Sequence, residues 1–402
     1  MQTFRFEYLQ LTTGSQLLFS RCFFMAIGLY VHVPFCIRKC SYCDFVSYPF
    51  DAGLAASYVC ALEKEMEFHV KNLSDEQRLL KSIYIGGGTP TCLSGEQLSA
   101  LLGLCRRHFI IDDGAEITVE CNPGTVNAEK FSLMREAGVN RVSIGVQAFQ
   151  QKILSTLGRI HTWKDVEDAA RACQETGITN VSFDLMFGIP GQSMAEWQES
   201  LREIVGLRPK HISAYGLKIE PETPMYRDAA RGLLDLCDEE VELEMFLYAI
   251  EFLALHGYGH YEISNFALAG MESRHNLIYW QNEEYLGLGP AAHSMLNCNR
   301  FSNIESVELY ISRLNAGLQV TDSKTALSVE EQMSETVFLG LRLLEGMDIT
   351  VFEERFGKEF FGVYAKQLET LTAQGLLEQA GKNIRLTAKG LPVANVVFAE
   401  FI

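Results

Sequence analysis

Cys36-Ile37-Arg38-Lys39-Cys40-Ser41-Tyr42-Cys43 puts three thiols within eight residues, on the tail of the strand-like run Leu29-Tyr30-Val31-His32-Val33-Pro34. Thiolates so close together on a loop suit a soft metal or an iron–sulfur cluster. Three ligands to a four-iron cluster leave one iron open to a further group. A structural zinc is the competing reading. It needs a fourth ligand, which His32 could supply, and zinc is more often held by paired Cys-x-x-Cys knuckles. The other cysteines (Cys22, Cys60, Cys92, Cys105, Cys121, Cys173, Cys237 and Cys298) follow no ligand spacing and read as small buried hydrophobes.

Outward from that loop, β-rich runs alternate with helical patterns. Strands are expected at Leu29–Val33, Ser82–Ile85, Glu116–Glu120, Arg141–Val146, Asn180–Leu185 and His211–Tyr215. Amphipathic stretches such as Ala52–Val70, Gly95–His108 and Trp163–Thr176 separate them. Such units build a parallel sheet with helical crossovers; six of them, against the eight of a closed barrel, predict an open α/β partial barrel, (β/α)6. After Leu217 the rhythm changes. A long helix is expected over Asp238–His256, then a Gly-, His- and Tyr-rich region to Ser294, then helices ending in a small β-wing. The division expected is an N-terminal extension over 1–26, the barrel over 27–220, its extension over 221–304 and a helical, winged-helix-like domain over 305–402.

A chain of 402 residues is long enough for this plan. Eleven cysteines, an odd number without an even framework, favour a reducing, cytoplasmic setting. The formal charge of −17 argues against a general nucleic-acid partner. The longest apolar stretch, Cys22–Val31, spans ten residues, too short to cross a bilayer. Residues Met1–Phe24 lack the compact basic start of a signal peptide, and Met25 is a second possible start.

In parallel barrels, working residues gather at the C-terminal ends of strands. The cysteine loop follows the first strand, and Gly86-Gly87-Gly88-Thr89-Pro90 follows the second, where glycines would let a ligand approach the backbone. Glu120 ends the third strand and Gln147 the fourth, with Arg159 shortly after. Asp184 lies near the end of the fifth, before Gly188-Ile-Pro-Gly191. Singly, each reads as a turn, a cap or a solvated charge. Arriving in register after successive strands, they predict one binding site.

The cysteine triplet, the Gly-Gly-Gly-Thr-Pro run, Glu-Cys-Asn-Pro-Gly (120–124), Gly-Val-Gln-Ala-Phe (145–149) and Phe-Asp-Leu-Met-Phe-Gly-Ile-Pro-Gly (183–191) resemble the radical SAM superfamily. Within it, they resemble the branch of oxygen-independent coproporphyrinogen III oxidase and its haem-chaperone relatives. The resemblance implies a [4Fe–4S] cluster on Cys36, Cys40 and Cys43, its open iron chelating S-adenosylmethionine, and an electron donor that triggers cleavage to a 5′-deoxyadenosyl radical. It implies that Tyr30 and Tyr42 flank the adenine and that Gly87, Gly88 and Thr89 meet the methionine part. Glu120, Gln147, Arg159 and Asp184 would complete the pocket.

Two functions then compete. The oxidase decarboxylates propionate side chains of coproporphyrinogen III, whereas the chaperone binds haem and delivers it to an apo-protein. The oxidase pattern carries a further cysteine two residues after the third, and here that position is Phe45. The chaperone pattern His-Asn-x-x-Tyr-Trp is present as His275-Asn276-Leu277-Ile278-Tyr279-Trp280, which makes His275 the expected axial haem ligand. His260 and His293 are weaker candidates. The chaperone reading is favoured, with the oxidase and a radical enzyme of other substrate as alternatives.

Overall fold

The computed structural model describes residues 26–402. The expected extension over 1–26 and the two possible starts therefore lie outside the described residues, apart from Ala26.

The six expected strands form: β1 (Ile27–Val33), β2 (Leu79–Gly87), β3 (Ile110–Cys121), β4 (Arg141–Gln147), β5 (Asn180–Phe187) and β6 (His211–Gly216). They lie side by side in chain order, all parallel. In β1 all but Tyr30 are buried, the pattern of a strand covered on both faces. The crossovers are α1 (Ala52–Val70), α2 (Gly95–His108), α3 (Ala128–Glu136), α4 (Trp163–Thr176) and α5 (Met194–Gly206). Their starts are written locally: Ser94 with Gln97, Thr162 with Asp165 and Ser193 with Glu196 form reciprocal capping boxes. Gly177, at φ 75°, ends α4 in the left-handed conformation that glycine adopts without strain.

The sheet is larger than the expected six strands. Beyond β6 come the antiparallel β7 (Gly259–Glu262) and β8 (Asn265–Ala267), after α6 (Glu239–Leu255). On the other edge β9 (Tyr285–Leu288) pairs parallel with β1, and β10 (His293–Leu296), β11 (Asn299–Asn303) and β12 (Thr321–Ala326) continue as an antiparallel meander. The twelve strands form an open sheet, not a closed barrel. Between β8 and β9 lies α7 (Arg274–Trp280), which carries the His-Asn-x-x-Tyr-Trp run.

Packing divides the chain later than the expected boundary at 305. The helix α8 (Val307–Asn315) lies against α1, and Val307, Tyr310, Ile311, Leu314 and Val320 join the main core. A separate core begins at Met333 and runs to Phe401, built on α9 (Val329–Gly340), further helices and a three-stranded sheet. The segment 305–326 deceives because β12 is almost wholly exposed and polar, giving no hydrophobic alternation to read.

Candidate functional site

The cysteine loop is held from three sides. Pro34 and Cys36 accept hydrogen bonds from Tyr48 N (2.8 Å) and Phe50 N (3.0 Å). Ser41 donates from its amide to Leu157 O (3.0 Å) and from its hydroxyl to Thr156 O (3.0 Å), while its own carbonyl accepts from Met225 N (2.9 Å). Such a loop is preorganised before any ligand arrives. Cys36 is buried, and Cys40 and Cys43 are half-exposed. Burial pushes the Cys43 thiol up to about 11.

These thiols line one wall of a cavity of about 340 Å³ at the C-terminal ends of the strands. Thr89 Oγ1 lies 3.6 Å from Cys36 Sγ, and Arg159 Nη1 lies 3.7 Å from Cys40 Sγ, while the same guanidinium donates to Gly145 O. The fourth ligand proposed for zinc is engaged: His32 Nε2 meets Val46 O at 2.8 Å and Nδ1 meets Tyr30 OH at 3.1 Å.

The opposite wall is acidic. Glu120 accepts from Tyr84 OH (2.7 Å) and from Gly87 N (3.2 Å), and burial, with Asp184 nearby, pushes its carboxyl up to about 7. Asp184 accepts from Ser143 Oγ (3.0 Å), and burial raises it too. Gln147 stands at φ 70°, a rare conformation for a non-glycine residue, and its Oε1 accepts from Tyr215 OH (3.2 Å). Ser143, Met186 and Tyr215 in this cavity were missed by sequence reasoning. Strand alternation carries the signal for two of them, since Ser143 is two residues before Gly145 and Met186 two after Asp184.

The cavity collects Cys36, Cys40, Cys43, Tyr42, Gly87, Gly88, Thr89, Glu120, Gln147, Arg159 and Asp184. Tyr30 and His275 are absent from it. Tyr30 lies within the barrel, stacked near Tyr84 at 6.3 Å and bonded to His32. The glycine run, which lines the cavity, also meets the protein closely on its other side. A Cβ on Gly87, at φ 105°, would stand 2.5 Å from His32 Nδ1, and one on Gly88 would stand 2.6 Å from Phe35 O. These glycines dock β2 onto the cysteine loop, a contact tightened by Gly88 N to Val33 O (2.9 Å) and Thr89 N to Phe35 O (2.7 Å).

His275 departs furthest from expectation. It is 1% exposed, with Nδ1 2.8 Å from Ser82 Oγ and Nε2 2.8 Å from Tyr279 OH. Its ring stacks on Tyr84 at 5.1 Å, and burial pushes its pKa down to about 3. The imidazole is held neutral, with each ring nitrogen against a hydroxyl. In this structure His275 anchors α7 against β2 through Ser82 and Tyr84. His260 is likewise occupied, with Nε2 3.1 Å from Ile263 O and its ring stacked on Phe266 at 4.3 Å. Leu277 and Trp280, on the same helix α7, line a second cavity of about 900 Å³ shared with the C-terminal unit.

Residues 30–204 match the family described as Radical SAM superfamily, and residues 327–393 match the HemN C-terminal domain. The chain is 40% identical over 375 residues to heme chaperone HemW of Bacillus subtilis, covering 93% of this chain and 98% of that one. It is 33% identical over 377 residues to heme chaperone HemW of Escherichia coli, covering 94% and 98%. Among solved structures, coproporphyrinogen III oxidase (HemN) from Escherichia coli, described as a radical SAM enzyme, aligns with a TM-score of 0.82 over 95% of this chain and 91% of that one. At 23% identity that likeness speaks for the fold. Among the described residues no helix is long and apolar enough to cross a membrane.

Proposed function

The chain belongs to the heme chaperone HemW family within the radical SAM superfamily, and from that premise we propose that it binds haem and transfers it to an acceptor apo-protein. The observation that carries the proposal is the near full-length identity to relatives of that name. Phe45 adds to it: the ring, 58% exposed, occupies the cysteine loop where the oxidase pattern has a further thiol.

We further propose that Cys36, Cys40 and Cys43 hold a [4Fe–4S] cluster and that the adjacent cavity takes S-adenosylmethionine. The donor set fits: three thiols on one cavity and a guanidinium beside one of them. When bound, the cluster supplies an electron for reductive cleavage of the sulfonium, which requires an external electron donor. Glu120 and Asp184 face a cationic ligand, and Tyr42 offers an aromatic wall for its base. Arg159 offsets negative charge at the thiolates. A cytoplasmic setting and a haem-accepting partner belong to this reading.

The test is an anaerobic one. Cluster-loaded protein should show a Soret band on titration with haem and lose it to an apo-haemoprotein. With S-adenosylmethionine and reductant it should leave coproporphyrinogen III unconverted. Catalytic formation of protoporphyrinogen IX would assign the oxidase function instead.

A further inference from the structure

Tyr84 touches both ends of the barrel. It follows Ser82 by two residues on β2, on the same inward face. At the mouth its hydroxyl donates to Glu120 Oε1 (2.7 Å), while Glu120 Oε2 accepts from Gly87 N (3.2 Å). On the other side its ring stacks on His275 of α7, at 5.1 Å and 25°. His275 in turn meets Ser82 Oγ and Tyr279 OH, each at 2.8 Å. Glu120, Tyr84, His275 and Tyr279 thus run without a break from a carboxylate lining the mouth cavity to the helix at the far end.

Gly86 belongs to the same arrangement. A Cβ there would stand 2.9 Å from Tyr84 Cε1 and 3.0 Å from Glu120 Cδ. The first glycine of the run therefore keeps open the space in which these two side chains meet.

The bond between them responds to charge. Burial pushes the Glu120 carboxyl up to about 7, and the charged groups facing it are Asp184 on β5 and Arg141 on β4. Near neutral pH Glu120 is divided between acid and carboxylate. A cationic ligand at the mouth favours the carboxylate, which accepts from a phenol more strongly than the neutral acid does. The Tyr84 ring then stays in the orientation on which His275 stacks.

Resting on the reading that S-adenosylmethionine fills the mouth, we propose that Tyr84 is a positioning residue for both ends of the barrel. It aims Glu120 at the cationic ligand, and through its ring it makes the docking of α7 tighter when that ligand is bound. Linkage requires the reverse as well: loosening α7 weakens the hold on the ligand at the mouth.

The experiment is hydrogen–deuterium exchange, read by mass spectrometry over residues 274–282, in cluster-loaded full-length protein with and without saturating S-adenosylmethionine. Binding itself is measured in parallel by calorimetry. In the wild type the ligand should slow exchange in that segment by about fivefold or more. Tyr84→Phe keeps the ring and loses only the hydroxyl. It should bind S-adenosylmethionine more weakly and, at saturation, show no slowing there. Tyr279, whose hydroxyl meets His275, is absent from the mouth cavity. Tyr279→Phe should nevertheless lower S-adenosylmethionine affinity by about threefold, with iron content unchanged. Equal slowing in Tyr84→Phe, or no slowing in a wild type that binds S-adenosylmethionine, would overturn the coupling and leave the mouth site standing. A cluster-loaded wild type that binds no S-adenosylmethionine would instead refute the reading of the mouth, and the coupling with it.

Discussion

The two ends of the barrel are built by different means. At the C-terminal mouth, each site residue is delivered by its own strand, a few residues from a recognisable motif. At the N-terminal end, the barrel is closed by α7, which arrives more than 190 residues after the Ser82 hydroxyl that it meets. The first end is therefore local in sequence and polar, with two half-buried carboxylates poised for a cation. The second is assembled by long-range packing, with His275 buried against Ser82. A parallel barrel exposes chemistry where strands end and needs a cork where they begin.

The sharpest contrast between the ends comes from the cysteines. Cys36→Ala, Cys40→Ala or Cys43→Ala should take reconstituted iron from about four per chain to none. Cys105→Ala, in the core with no exposure, should keep all the iron and lose only stability. Iron analysis after anaerobic reconstitution decides this, and full iron in a Cys40→Ala protein would break the assignment of the mouth.

His275→Ala tests the other end. It removes a buried ring and leaves Ser82 and Tyr279 without their partner, so unfolding should become easier by about 2–4 kcal/mol. Denaturant melts should show that loss, and the Soret maximum of bound haem should not move. A Soret shift in a protein of unchanged stability would restore His275 as a ligand.

Glu120 offers a pH handle on the mouth. Its folded-state pKa, raised to about 7 from an ordinary 4.5, favours folding below pH 4.5, and that advantage is lost as pH rises through 7. Glu120→Gln should remove the loss, gaining on wild type by up to about 3 kcal/mol between those limits in the cluster-free protein. Parallel pH–stability curves for the two proteins would contradict it. The smallest effect belongs to Phe45→Ala. With the ring largely exposed, stability should change by no more than about 0.5 kcal/mol and the cluster should be retained.

Much of this was legible in the sequence, for identifiable reasons. The six parallel strands are apolar runs bounded by caps and glycines, and their ends bring eleven expected residues to one cavity. Alternation tells which face Tyr30 takes but not its height in the barrel, where its hydroxyl meets His32. The close approach of Gly87 to His32 and of Gly88 to the Phe35 backbone is a tertiary contact that the glycine run alone does not announce. The edge strands and the later domain boundary were hidden by short polar segments. The role of His275 follows only from tertiary contacts that no local pattern encodes.

Most directly, the account rests on an iron left open by three cysteines. Electron paramagnetic resonance of the dithionite-reduced, reconstituted protein, with and without S-adenosylmethionine, examines that iron itself. The account predicts a four-iron signal whose g-values shift when S-adenosylmethionine is added. A signal unchanged by S-adenosylmethionine, or stoichiometric zinc in place of iron, would contradict it.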